Sequence, residues 1–237
     1  MKKVLLSLAL AGLLFGENLL EKVDKVLAPI SNESYKKLIN IEPDGSKKEF
    51  LLYQAKKGSD KMVSLFLKPE SEAGRVTLRL GENMWLFIPE VGRAIRLTSM
   101  QSVTGGVFNN SDIMRIDFAA EYDIVKEEEN ETEIVVETKA KTESVAYDKL
   151  IMIIDKKTTT PKQIECFSST GMLIKTLYYK DMKDFGNGII RPAVMETKSP
   201  LYKGYKSLMI YGKITPKEFS DEAFTLDNLS KAQELRR

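Results

Sequence analysis

The 237-residue sequence contains no histidine. That absence excludes Ser-His-Asp and Cys-His nucleophilic machinery, imidazole metal sites and histidine pH switching. Its single cysteine, Cys166, cannot form an internal disulfide. Cys166 sits in the alternating run Gln163-Ile164-Glu165-Cys166-Phe167 with no electropositive cluster beside it, which is the setting of a buried, inert thiol. Charge of one sign is also lacking. The 36 Lys and Arg against 34 Asp and Glu leave +2, and no basic stripe marks a nucleic-acid surface. No P-loop, dinucleotide-binding fingerprint, Cys-based zinc spacing or Gly-x-Ser-x-Gly elbow occurs. The expectation is a protein that is not an enzyme and needs neither metal nor cofactor.

Long apolar runs are missing except at the start. Lys2 and Lys3 precede an apolar stretch from Val4 to Phe15, the pattern of a secretory signal and too short to span a bilayer. Cleavage after Gly16 is expected, so that residues 1–16 are a signal peptide and 17–237 form a single domain. This processing removes Lys2 and Lys3 from the 36 basic residues and leaves them equal to the 34 acidic ones. No cysteine follows the run, so an N-terminal lipoprotein anchor is not expected.

From Glu17 to Leu27, residues Leu19, Leu20, Val23, Val26 and Leu27 fall at spacings of three and four, predicting an amphipathic helix that Pro29 ends. Beyond Tyr35 the rhythm is all-β. Strands are predicted at 35–42, 49–56, 61–68, 75–80, 84–88 and 94–98, then at 123–126, 133–139, 149–155, 163–168, 173–181, 190–197 and 206–214. Pro43-Asp44-Gly45-Ser46, Gly58-Ser59-Asp60 and Gly81-Glu82-Asn83 supply tight reversals between the first of them. About a dozen strands in one domain imply a strongly curved antiparallel sheet or incomplete barrel. Between the two sets, Ser111 is expected to cap a short helix over 112–120, with Ile113, Ile116 and Ala120 on one face.

The chain is also rich in flexible apolar side chains. Met62, Phe66, Trp85, Phe87, Met114, Phe118, Met152, Met172, Met195 and Met209 are spread over many elements, and methionine suits a surface that must accept flexible ligands. In the stretch 84–97, Trp85, Phe87 and Pro89 share one side of a strand, and a short turn brings Arg93 and Arg96 onto its neighbour. The expectation is a cavity wall of Trp85, Phe87, Phe66, Met62, Met114 and Phe118, with Arg93 and Arg96 as polar contacts at its mouth. Two acidic features carry no such expectation. Glu127-Glu128-Glu129-Asn130-Glu131 reads as a solvated hairpin tip, and Asp112 and Asp117, five apart, make a poor catalytic pair.

Taken in order, the motifs resemble a known family. Leu67-Lys68-Pro69, Gly74 and Leu78 are followed by Trp85-x-Phe87-x-Pro89 with Arg93 and Arg96, then Ser111-Asp112, Asp117-Phe118 and Tyr122. Tyr147-x-Lys149, Ile154-Asp155-Lys156, Pro161, Gly171-x-x-x-Lys175, Gly188-x-x-x-Pro192 and Phe224-Thr225 continue the series. This looks like the outer-membrane lipoprotein-sorting (LolA-like) family. The resemblance implies a mainly β fold, an incomplete antiparallel barrel over an apolar cavity, with the first helix and the segment 111–120 contributing to a helical lid. It also implies a monomeric periplasmic carrier of a Gram-negative bacterium that takes acylated lipoproteins or lipids from an inner-membrane transporter to an outer-membrane acceptor. The alternative is a non-enzymatic lipid or lipoprotein sensor, or an accessory module of a lipid-exporting transporter.

Overall fold

The structure is a computed structural model and describes residues 17–115 and 117–237. The expected signal peptide and Ile116 lie outside the described residues. Helix α1 spans Leu19–Leu27, and short helices α2 and α3 span Asn110–Ile113 and Phe118–Glu121. The strands are β1 (Asn32–Ile41), β2 (Lys47–Lys57), β3 (Lys61–Lys68), β4 (Val76–Leu80), β5 (Asn83–Ile88), β6 (Arg93–Leu97), β7 (Tyr122–Glu129), β8 (Glu133–Ala140), β9 (Lys149–Asp155), β10 (Pro161–Phe167), β11 (Leu173–Asp184), β12 (Ile190–Lys198) and β13 (Lys206–Pro216). Every predicted strand is present.

All thirteen form one antiparallel sheet in the order β6-β5-β4-β3-β2-β1-β13-β12-β11-β10-β9-β8-β7. It is a meander closed at its middle, where β1 pairs with β13, and open at its ends, since β6 and β7 do not pair. The sheet must be strongly curved. The segment joining β6 to β7 bonds to β2, β4 and β11, and six strand spacings between β4 and β11 would measure about 29 Å if flat. A single turn of helix could not reach across that distance. Near the open ends, Thr142 donates to Glu82 at 2.6 Å and Ser99 to the Ser144 carbonyl at 3.0 Å, bringing the two halves together.

Alternation along the strands makes two cores. On the concave face, Leu38, Leu52, Phe66, Met84, Val136, Met152, Ile164 and Met209 join Leu20, Val23 and Leu27 of α1 in one buried cluster. On the convex face, Tyr53, Val63, Leu65, Val76 and Leu78 lie under Phe224, Leu229 and Ala232 of the 3-10 segments Asp221–Phe224 and Leu226–Arg236. Sequence periodicity had not indicated this C-terminal cover.

The helix expected over 112–120 is broken in two. Its cap is Asn109 and not Ser111: Asn109 Oδ1 accepts the Asp112 N–H and the Asp112 carboxylate accepts the Asn109 N–H. The carbonyls of Ile113 and Met114, which a continuing helix would offer to residues 117 and 118, are taken by Gln54 at 2.9 Å and Arg79 at 3.1 Å. Phe118 donates its N–H to Asp24 instead. Tertiary partners thus outcompete the helical ladder over this stretch. The acidic residues 127–131 are exposed, as expected, but Glu127–Glu129 belong to the end of β7, paired with β8, and the reversal itself is confined to residues 130–132.

Candidate ligand cavity beneath the amphipathic helix

Helix α1 is capped within its own sequence. Asn18 and Glu21 form a capping box with bonds of 2.9 and 3.0 Å, so its N-terminus needs no help from the rest of the protein. Its apolar stripe, Leu20, Val23 and Leu27, packs onto the concave cluster. Asp24 lies buried among these residues and accepts the free N–H groups of Phe118 and Ala119 at 2.8 and 2.9 Å. Those are the unpaired donors of α3, so α1 and α3 hold each other. Burial, partly offset by these two bonds, pushes the Asp24 carboxyl up from 3.8 to about 7. At the other end of α1, Arg191 donates to the Leu27 carbonyl, where a cation complements the helix C-terminus.

Helix α2 is fixed by a buried polar network. The Asp112 carboxylate receives the Tyr147 hydroxyl and the Lys175 ammonium, each at 2.8 Å, besides the Asn109 N–H. Burial and the neighbouring Asp112 push the Tyr147 hydroxyl well above its ordinary range. Arg79 is paired with Glu121 in the same interior, and Lys56 with Asp117. Leaving one partner of such a buried pair uncompensated costs about 3–5 kcal/mol, so these groups specify where the segment 98–121 lies.

Two hollows meet under the helix. The outer is an open cleft of about 800 Å³ bordered by Glu21, Lys25, Ile30, Ser59 and Ala120. The inner is a chamber of about 60 Å³ lined by Leu27, Lys36, Met62, Arg115, Phe118, Arg191, Met195 and Tyr211. Asp24, Ala28, Lys56 and Asp117 border both, so the two hollows adjoin where α1 meets α3. The chamber has room for about two waters and none for an acyl chain. An apolar ligand therefore has to displace α1 or the side chains below it. Methionine recurs here: Met62, Met84, Met114, Met152, Met195 and Met209 all belong to the concave cluster, where unbranched side chains can repack.

The residues expected to form one cavity are divided by the sheet. Met62, Phe66, Met114 and Phe118 lie in the concave cluster with α1, and Met62 and Phe118 line the chamber. Trp85 and Phe87 face the convex core, and Phe87 lines a separate cleft beside Pro89 and Leu229. This corrects their assignment to the cavity wall. Alternation on β5 places Met84 and Trp85 on opposite faces, but both faces are apolar because the C-terminal segment covers the outer one. Trp85 is the cross-strand partner of Arg96, as the turn implied, and Arg96 bonds to Asn83. Arg93 and Arg96 are exposed on the edge strand β6, away from the chamber, so they do not form its polar mouth.

The polar residues that do border the chamber, Asp24, Lys36, Arg115, Arg191 and Tyr211, were not anticipated. Lys175 had appeared only inside a motif, and Asp112 there and as half of a rejected catalytic pair. Cys166 is buried in the concave cluster, where burial pushes its thiol far up. Among the described residues, no group of three Cys, Asp or Glu side chains is placed to hold a metal ion.

Comparisons with known proteins agree with this architecture. A LolA superfamily protein from Nitrosomonas europaea superposes with a TM-score of 0.80 at 27% identity, covering 88% of this chain and 96% of that one. A putative outer membrane lipoprotein-sorting protein domain from Vibrio parahaemolyticus gives 0.73 at 18% identity over 87% and 95% of the two chains. A DUF1329 family protein from Desulfovibrio piger gives 0.76 at 18% over 89% and 96%. These last two share the fold. A family model described as "Uncharacterized protein"-like matches residues 58–231. No protein of curated function matches the chain. The chain belongs to the family of that model, and its fold is that of the LolA superfamily.

Proposed function

We propose that this protein is a non-enzymatic periplasmic carrier that shields acyl chains of lipids or lipoproteins on the concave face and moves them toward the outer membrane. The observation that carries the reading is the methionine-rich concave core capped by an independently capped amphipathic helix, with an open cleft at the helix edge. Magnitudes favour it. Burying a 16-carbon chain is worth on the order of 12 kcal/mol at about 0.8 kcal/mol per methylene. Undocking Leu20, Val23 and Leu27 costs roughly 5–9 kcal/mol at about 1.5–3 each. Cargo can therefore lift the helix, while the returning helix offsets a large part of the cargo's gain and assists release. The superfamily and the expected signal peptide support the periplasmic setting, with an inner-membrane transporter as donor and an outer-membrane component as acceptor.

Native mass spectrometry of protein gently purified from a Gram-negative periplasm is expected to show adducts of lipid or acylated-peptide mass. Repeated detection of the bare polypeptide alone would count against the reading. A reconstituted assay between donor and acceptor membranes distinguishes carriage from sensing: a carrier accelerates transfer, whereas a sensor binds without transferring.

A further inference from the structure

The chamber beneath α1 has more cations than its carboxylates serve. Lys36, Lys56, Arg115 and Arg191 line it, against Asp24, Asp112 and Asp117. Asp117 is committed to Lys56, Asp112 to Lys175 and Tyr147, and Asp24 to two backbone N–H groups. Among the described residues, neither Lys36 nor Arg191 has a carboxylate partner. Among the same residues, none of the three guanidinium nitrogens of Arg115 has a hydrogen-bond partner, and its Nη2 stands 3.6 Å from Asp112 Oδ1.

Aromatic faces provide part of what is missing. Lys36 Nζ lies 4.8 Å and Arg191 Cζ 3.9 Å from the centre of the Tyr211 ring, and Arg115 Cζ lies 4.5 Å from that of Phe118. Such contacts are weak against the cost of a buried, unpaired charge. The local potential is correspondingly positive. Burial alone would push the Tyr211 hydroxyl up, yet Lys36 and Arg191 bring it down to about 8.

We propose that the chamber seats an oxyanion, the carboxylate or phosphate of an acyl-chain ligand, held by Arg115 and Lys36 with Arg191 beside them. The inference rests on the reading of the concave face as an acyl-chain site and narrows its cargo. About 60 Å³ suits one small charged group and excludes a chain, which would occupy the space α1 vacates. The acyl chains of a lipidated cysteine are linked through neutral esters and an amide and bring no anion to this point. A fatty acid or an anionic phospholipid does. Cationic groups lining a small, largely enclosed chamber supply charge-assisted bonds that a neutral lipid cannot use.

The test uses the mature chain stripped of lipid, titrated with palmitate, methyl palmitate, palmitoyl lysophosphatidate, a triacylated lipopeptide and inorganic phosphate. Palmitate or lysophosphatidate, whichever head group fits, is expected to bind at least about tenfold more tightly than the methyl ester and the lipopeptide. Lys36→Met and Arg115→Met should reduce that ratio to about one, with methyl palmitate affinity unchanged and Tm unchanged or higher. Equal binding of acid and ester by the unmodified protein overturns the oxyanion seat and leaves the carrier reading standing. Failure of every acyl ligand to bind overturns both. Inorganic phosphate binding as tightly as the acyl anions overturns the assignment to cargo.

Discussion

Leu20→Ala tests whether α1 is a gate. Leu20 is 1% exposed and packs its side chain into the concave cluster. Removing three methyl or methylene groups from a buried leucine costs about 2–5 kcal/mol. In a rigid core that loss lowers global stability and nothing else. On a helix that must lift before cargo enters, it also raises the open population. The low end, about 2 kcal/mol, corresponds to about thirtyfold. Apparent affinity is limited by the competent fraction, so a fluorescent fatty acid should bind Leu20→Ala up to about thirtyfold more tightly until the open form predominates. Leu150→Ala is the control, since Leu150 is equally buried in the concave cluster but lies on β9 and not on α1. It should lose similar stability and gain no affinity. Titration well below Tm, with hydrogen exchange of the amides of residues 19–27, checks both. Unchanged affinity and unchanged exchange in Leu20→Ala would refute gating by α1.

Three further outcomes follow from particular contacts. Asp24 holds its proton up to about pH 7 in the folded protein but only to its ordinary 3.8 when unfolded, so its contribution is fully present below 3.8 and lost as pH rises to about 7. The loss is on the order of 4 kcal/mol, and urea unfolding between pH 4.5 and 7.5 should show Asp24→Asn without that decline relative to the unmodified protein. Phe87→Ala should cost up to about 3 kcal/mol through the convex core, and Arg96→Leu almost nothing; neither should change fatty-acid affinity in the same titration. Asp112→Ala strands Lys175 and Tyr147 and should cost about 3–5 kcal/mol in chemical denaturation.

The strand pattern was fully legible because alternation and turn residues are local signals, and the amphipathic helix was legible because its stripe has a helical period. Facing was harder. Trp85 and Phe87 were assigned inward since an apolar stripe normally marks the core, but the C-terminal 3-10 segments give the sheet a second core and remove that distinction. Lys36 escaped notice for a related reason: in Ser34-Tyr35-Lys36-Lys37-Leu38 either lysine could face inward, and only the register with β2 and β13 decides. The break between α2 and α3 depends on Gln54, Arg79 and Asp24, which lie 59, 35 and 94 residues from the groups they bond. No local window contains such partners. Motif order, by contrast, pointed to the family without showing which residues line its cavity.

The central claim is that acyl chains occupy the concave face beneath α1. A photoreactive diazirine fatty acid, cross-linked to the mature protein and located by peptide mass mapping, tests it most directly. The account requires labels on peptides containing Met62, Phe66, Phe118 or Met195, with α1 released from protection against hydrogen exchange on loading. Labels confined to the convex peptides around Trp85, Phe87 and Leu229, with α1 still protected, would contradict it.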